Sequence, residues 1–155
     1  MNVESLMTRE PDCCSPDESI RSAAVKMQAG GIGMLPVVED DEPVGVITDR
    51  DVCMAVAAGL ETTTPIAQIM SQPAVCCTRT DKPRSVLDTM REKHVRRLVV
   101  TDERGAVCGI LALDDLAAEA KERVFEHVPS HSDVVETLRS VSRYRSLQVG
   151  GSVAH

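Results

Sequence analysis

The sequence predicts an α+β fold made of two copies of one β-α-β-β-α unit, followed by a single C-terminal helix. Three observations carry that prediction. The chain repeats itself: Leu6-Met7 returns as Ile69-Met70, Cys13-Cys14 as Cys76-Cys77, Met27 as Met90 and Leu35 as Leu98, each 63 positions later. After one extra residue in the second turn, Gly45 returns as Gly109 and Asp51 as Asp115, an offset of 64. Each copy also sets a helix-period apolar stripe beside β-rich runs punctuated by Pro, Gly and Asp. Finally, 155 residues of which 43% are apolar suit one domain, or two small ones sharing a core. A period a little above 60 exceeds that of solenoid repeats and fits a duplicated supersecondary unit whose copies cover each other's apolar faces. One copy alone buries too little surface to be stable.

The elements follow in order. A short strand is expected over Asp12 to Ser15. Ile20, Ala23, Ala24 and Met27 then fall at i, i+3, i+4 and i+7, an amphipathic helix that Gly30-Gly31 ends. Met34 to Glu39 and Val44 to Thr48 form a hairpin turning at Asp40 to Pro43, and a second helix runs from Asp49 to Ala58. Glu61-Thr62-Thr63-Thr64-Pro65 reads as a polar linker. The second copy gives a strand near Val75 to Thr78, a helix Arg84 to Lys93, a hairpin Arg97 to Ala112 turning at 102–105, and a helix Asp114 to about Glu126. Beyond Pro129, Val134, Leu138 and Val141 mark a last amphipathic helix, with Ser130 and Asp133 placed for a capping box. Its stripe needs cover, from the chain's own core or from a second subunit. The boundaries expected are 1–60, 61–126 and 127–155, with a disordered tail from Gly150.

Composition excludes several functions. Seventeen basic against 24 acidic residues give −7, and one Tyr, one Phe and no Trp leave no stacking platform, so nucleic acid is not an expected partner. Residues 137–155 hold three Arg and no acid, so the remainder carries −10. No apolar stretch nears the roughly 20 residues that span a bilayer, and Met1 to Arg9 lacks the basic start and apolar core of a secretory signal. A cytoplasmic protein is expected, with its six cysteines reduced. Adjacent pairs such as Cys13-Cys14 point to opposite faces of a strand, and no Cys-x-x-Cys occurs, so no metal is expected. Gly30-Gly31-Ile32-Gly33 follows a helix rather than opening one, which reads as helix termination and not a phosphate loop. Pro129 spoils a shared helix face for His127 and His131, and no acid, base and nucleophile set appears, so no enzyme is expected.

The motifs themselves point further. Leu6-Met7 opens the first copy, Leu35-Pro36-Val37-Val38 fills its first hairpin strand, and Gly45-Val46-Ile47-Thr48-Asp49-Arg50-Asp51 leads into its last helix. The second copy has Ile69-Met70, Arg96-Arg97-Leu98-Val99-Val100 and Gly109-Ile110-Leu111-Ala112-Leu113-Asp114-Asp115. Over about residues 3 to 120 this doubled pattern resembles the paired CBS domain, or Bateman module. The resemblance implies two repeats packed about a pseudo-two-fold axis. It also implies a regulatory module binding adenosine-containing ligands (AMP, ADP, ATP or S-adenosylmethionine) in clefts between the repeats, with no other cofactor. Such modules signal to an effector protein, and they commonly form homodimers, which stripes on the helices 49–58 and 114–126 would suit.

The chemistry can be weighed on its own terms. A carboxylate accepts both hydroxyls of a ribose diol, and a phosphate seeks backbone N–H groups or a guanidinium. In the family pattern the Asp of Gly-x-x-Thr-x-x-Asp holds the ribose and the Thr faces phosphate or ribose, roles that carry to Asp51 and Thr48. Thr-x-x-Asp is equally a helix cap, and both readings stay open. The second copy has Ala112 where the Thr would be, though Asp115 remains. Lys93, His94, Arg96 and Arg97 form a basic run that is either a solvated strand edge or a phosphate anchor. At most one of Arg96 and Arg97 faces a given cleft. The first copy's anchor would be Arg50. With so few rings, adenine would meet Met34, Pro36 and Val37 in one copy and Leu98 and Val99 in the other, though most of these positions suit the core better, since alternate residues of a half-buried strand point inward. The competing function is an interaction or scaffold module of the same fold that binds no nucleotide.

Overall fold

The computed structural model describes residues 1–120 and 128–150, with side chains described to residue 143. In chain order the elements are β1 (Thr8–Arg9), α1 (Ile20–Gly30), β2 (Met34–Glu39), β3 (Glu42–Thr48), α2 (Asp49–Ala57), β4 (Cys76–Thr78), α3 (Pro83–Lys93), β5 (Arg97–Thr101), β6 (Val107–Ala112), α4 (Leu113–Ala118) and α5 (His131–Gly150). The chain is thus a mixed α+β fold with a doubled helix–hairpin–helix pattern and a C-terminal helix.

The chain divides into two compact units. One comprises Arg9–Cys76 with Thr101–Cys108; the other comprises Met1–Thr8, Cys77–Val100 and the described residues from Gly109 on. Each unit therefore holds the opening segment of the other sequence repeat.

In the unit around Arg9–Cys76, α1 starts at Ser19, whose side chain accepts from Ser22 N, and ends at Gly31, held at φ 61°. That left-handed conformation suits glycine because no Cβ opposes it. β2 and β3 pair antiparallel from Met34↔Thr48 to Glu39↔Glu42. Their turn is only Asp40-Asp41, at φ 51° and 67°, so the strand begins two residues before the expected Val44. Two residues of left-handed sense match the strands' own twist, and Asp is among the side chains that tolerate it. A bulge between Val37 and Val38 absorbs one extra residue. Ile20, Ala23, Leu35, Val37, Ile47 and Ile66 centre the core.

The expected strand at Asp12–Ser15 is a single parallel bridge, Cys14↔Val37, with Cys14 N donating to Pro36 O (2.9 Å) and Val38 N to Cys14 O (2.8 Å). Pro11 and Pro16 flank it and lack the N–H groups that would extend a ladder. Nor is the linker free: Ile20 N donates to Thr64 O and Arg21 N to Thr62 O, satisfying amides of the first turn of α1. The opening of the second repeat lies on β3 through the reciprocal pair Val46 N to Ser71 O and Ser71 N to Val46 O, both 2.9 Å. A Cβ on Gly45 would stand 2.7 Å from Ser71 O and 3.1 Å from Met70 Sδ.

The other unit is built alike. Its sheet has the order β1-β6-β5-β4. Here the opening of the first repeat is the guest: Val3 N donates to Asp81 O and Glu4 N to Arg79 O. A Cβ on Gly109 would stand 2.5 Å from Met7 Sδ and 2.9 Å from Thr8 O. α3 ends on His94 at φ 55°, the counterpart of Gly31 63 positions on. The second-copy helix expected over 114–126 is described only as Leu113–Ala118, and residues 121–127 lie outside the described residues.

α5 answers what covers the last helix: it packs on α3 in the same unit. The capping box expected from Ser130 and Asp133 is present, with Asp133 N donating to Ser130 Oγ (3.2 Å) and Ser130 N to Asp133 Oδ2 (3.1 Å). The inward face is Thr137 and Val141, with Val134 half-buried, whereas Leu138 points outward with 40% exposure. Arg91 reaches Glu136 at 3.1 Å and also pairs with Asp88 of its own helix, while Arg84 stands 4.0 Å from Asp133. Gly150 belongs to this helix, so the tail expected from Gly150 begins later, and residues 151–155 lie outside the described residues.

Candidate functional site

Each unit has one junction where a hairpin's second strand runs straight into a helix, and the candidate residues gather there. In the first, Thr48 N-caps α2. Its Oγ1 accepts from Asp51 N at 3.2 Å and donates to Asp51 Oδ2 at 2.7 Å, while Thr48 N donates to the same Oδ2 at 2.8 Å. The helix start is thereby held to the strand before it: Asp49 N also donates to Gly33 O (3.1 Å). Thr48 and Asp51 are half-buried and Arg50 is exposed. Among the described residues Arg50 makes no ion pair.

In the second junction Asp115 Oδ2 accepts from Ala112 N at 2.8 Å, and no hydroxyl is present to complete a reciprocal cap. Leu113 N donates to Arg96 O at 2.9 Å, the counterpart of Asp49 N to Gly33 O. That one bond places Arg97, the next residue along β5, beside the start of α4. Arg96 and Arg97 divide their roles as the extended backbone demands. Arg96 Nη2 stands 3.6 Å from Asp114 Oδ1, whereas Arg97 is exposed and makes no ion pair among the described residues.

The apolar candidates sit elsewhere. Met34 is 5% exposed, Val37 and Leu98 0%, and Pro36 is also buried. β2 has four successive buried residues, so both of its faces are covered and the alternation expected of a half-buried strand does not apply. These side chains pack in the core and offer no open surface. Met34 nevertheless pairs with Thr48 across the hairpin, so its backbone borders the first junction.

A polar cluster that no motif marks joins α1 to the segment before it. Lys26 Nζ donates to Cys13 O (2.8 Å) and to both oxygens of Glu18 (2.9 Å), and Glu18 also accepts from Ser22 (2.9 Å). Burial alone would raise the Glu18 pKa, but the hydrogen bonds from Lys26 and Ser22 outweigh it and hold the carboxyl below its ordinary range. Burial, with the Glu18 charge behind it, pushes the Cys14 thiol up to about 12. The separation of eight residues between Glu18 and Lys26 matches no local pairing rule, which is why pattern reading passes over it.

Two broader observations bear on chemistry. Among the described residues no three His, Cys, Asp or Glu side chains gather as metal ligands. No described helix is long and apolar enough to cross a membrane.

Comparison with known proteins gives a consistent picture. A family model described as CBS domain matches residues 3–58 and again 66–122. The CBS domain-containing protein YhcV of Bacillus subtilis is 33% identical over 117 residues, covering 75% of this chain and 83% of that protein. Hypoxic response protein 1 of Mycobacterium tuberculosis is 29% identical over 142 residues, covering 90% of this chain and 92% of that protein. A crystal structure of hypoxic response protein I with two coordinated zinc ions superposes with a TM-score of 0.70 at 27% identity, covering 78% of this chain and 100% of that one. The CBS domain protein PAE2072 of Pyrobaculum aerophilum, solved complexed with AMP, gives a TM-score of 0.72 at 23% identity, covering 90% of this chain and 99% of that one.

Proposed function

The chain belongs to the CBS-domain family, carrying two copies of the domain, and from that premise we propose that it is a regulatory module. In this reading it binds an adenosine-containing ligand (AMP, ADP, ATP or S-adenosylmethionine) and reports occupancy to a partner protein. One observation carries it: each unit presents a half-buried carboxylate, Asp51 or Asp115, at a strand-to-helix junction that also bears an exposed guanidinium without an ion pair among the described residues, Arg50 or Arg97. A carboxylate and a guanidinium are what a ribose diol and a phosphate require. The AMP complex of PAE2072 supports the reading, because that protein carries an adenosine ligand on the same fold.

The mechanism is a population shift. A ligand moves the equilibrium between two arrangements only by its differential affinity for them, and a partner that reads one arrangement responds to that amount. The chain acts without chemistry of its own, in the cytoplasm, and as a homodimer. Met54 and Val56 are exposed on α2, apolar surface that a second copy would cover. On the described part of α4 the stripe is already used, since Leu113 and Leu116 are buried.

A scaffold that binds no nucleotide is the second reading, favoured by the self-satisfied cap at Thr48 and Asp51. Titration calorimetry of the full chain against AMP, ADP, ATP and S-adenosylmethionine separates the two. The regulatory reading expects one ligand to bind, with a stability gain of about 2.7 to 4.1 kcal/mol at 100 to 1,000 times its Kd. A folded protein silent to all four is a scaffold.

A further inference from the structure

Resting on the homodimer of that reading, we infer that the contact between copies is heterologous: the outward side of α5 in one chain seats on the α1–α2 face of the other. Seven large apolar side chains are exposed among the described residues. Apart from Met1 they fall in two patches. Val25, Met54, Val56 and Leu60 lie on α1, on α2 or just past its end, and Val135 and Leu138 lie on α5. A second copy offers each patch the other as its cover.

The duplication shows what kind of element covers such a face. α1 and α2 correspond to α3 and α4, at offsets of 63 and 64. In its own unit α5 packs on both α3 and α4, where Leu87 and Leu116 are fully buried. Their counterparts on α1 and α2, Ala24 and Val52, are only half-buried, with Val25 at 53% and Met54 at 56% exposure on the same helices. α5 is thus the chain's own example of a helix that fits this layer. Its inward residues Thr137 and Val141 are spent on its own unit. Val135, Leu138 and Ser142, at i, i+3 and i+7, form a second stripe that stays exposed, with Arg139 alongside.

Charge selects this pairing over the symmetric ones. The unit of α1 and α2 holds 13 acidic and five basic residues, a net of −8, whereas the unit of α5 holds 12 basic and 11 acidic, a net of +1. Both acids of α5 are engaged with α3, Asp133 near Arg84 and Glu136 on Arg91. Arg139 and Arg143 are left exposed, in no ion pair among the described residues. Exposed acids border the other face: Asp17 before α1, Asp49 at the start of α2 and Glu61 past its end. Lys26 on that side is tied to Glu18, which leaves Arg21 and Arg50 as the like charges. Two α1–α2 faces laid together would oppose −8 with −8 and leave Val135 and Leu138 in water. Two α5 stripes would set Arg139 and Arg143 against themselves. The heterologous contact covers both patches and opposes unlike charge. Repeated about a two-fold axis, it is made twice and closes as a dimer.

The test is light scattering of the full chain, as wild type and as the variants Met54→Glu and Leu138→Glu, each alone and the two mixed one to one. Both side chains are exposed, and circular dichroism confirms that each variant is folded. Either variant alone should raise the dimer dissociation constant about tenfold or more, because a carboxylate is then buried without a partner. The mixture should regain association, since the intact α5 of the Met54→Glu chain meets the intact α1–α2 face of the Leu138→Glu chain. Raising salt from about 0.05 to 0.5 M should weaken the wild-type dimer, as screening of unlike charges requires. A single variant that dimerises like the wild type, a mixture no stronger than its parts, or a wild-type dimer tightened by salt overturns the contact while leaving the homodimer in place. A wild type that is monomeric at about 1 mM overturns the contact and the homodimer together. Nucleotide binding is decided separately, by the ligand calorimetry.

Discussion

At the scale of residues, single side chains here are tuned by their immediate neighbours. The repeat places Gly31 and His94 63 positions apart, and both end a helix in the left-handed region, at φ 61° and 55°. Glycine reaches that conformation freely; histidine reaches it because the backbone around it is over-determined. In the sequence His94 looked like part of a basic run, and its helix-ending role could be read only from the offset. The thiols divide as sharply. Cys14 and Cys77 are buried, Cys14 with its pKa near 12, whereas Cys53 on α2 is exposed. A disulfide-exchange reagent at pH 8 should therefore modify Cys53 within the native protein, and Cys14 and Cys77 only after denaturant is added, because the thiolate is the reactive species. Rapid native labelling of Cys14, read by peptide mass, would contradict the burial described here.

At the scale of elements, the regular pieces were legible where the signal is local. The stripe of Ile20, Ala23 and Met27, the turn acids at 40–41 and the Ser130–Asp133 cap all mark their elements within a few residues, and the helix expected from Arg84 begins one residue earlier at Pro83. The misreadings fall where a partner decides. Leu138 matched the apolar period yet faces outward, and Thr137 beside it is buried with its hydroxyl bonded to Asp133 O at 2.8 Å. The α3–α5 seam has ion pairs at Arg84 and Arg91, so its strength depends on pH. The Asp133 pKa is lowered chiefly by the hydrogen bond from Ser130, and further by Arg84. A carboxyl lowered on folding contributes stability that is complete above its unfolded value, about 3.9, and is lost as pH falls through the folded value. Protection of α5 amides from hydrogen exchange should accordingly be high at pH 6 and fall below pH 4. Asp133→Asn should show the reduced protection already at pH 6. Unchanged protection in that variant would mean that the seam does not depend on Asp133.

At the scale of the whole molecule, the duplication explains why the chain is not simply two beads. Gly45 and Gly109 are the two places where the opening segment of the other repeat lies directly on a strand, with no space for a Cβ. A repeat taken alone would leave that strand edge unpaired, and edges are completed or covered in stable proteins. Outside the described cores, the largest apolar side chains left exposed on α2 are Met54 at 56% and Val56 at 58%. If they seat a second copy, light scattering should report a dimer, and Met54→Glu should shift it to monomer without altering the circular dichroism spectrum. A wild-type monomer at high concentration would remove the homodimer from the proposed function.

By itself the sequence determined the duplication, the order of helices and hairpins, and the Thr-x-x-Asp and Ala-x-x-Asp junctions, because periodicity and capping act over a few residues of chain. Only the tertiary structure decided which segments pair, that Arg96 is tied to Asp114 while Arg97 is free of any described ion pair, and that Asp51 Oδ2 accepts two hydrogen bonds where Asp115 Oδ2 accepts one. Pairing across 60 residues and the filling of a carboxylate's lone pairs depend on positions in space, and spacing along the chain does not contain them.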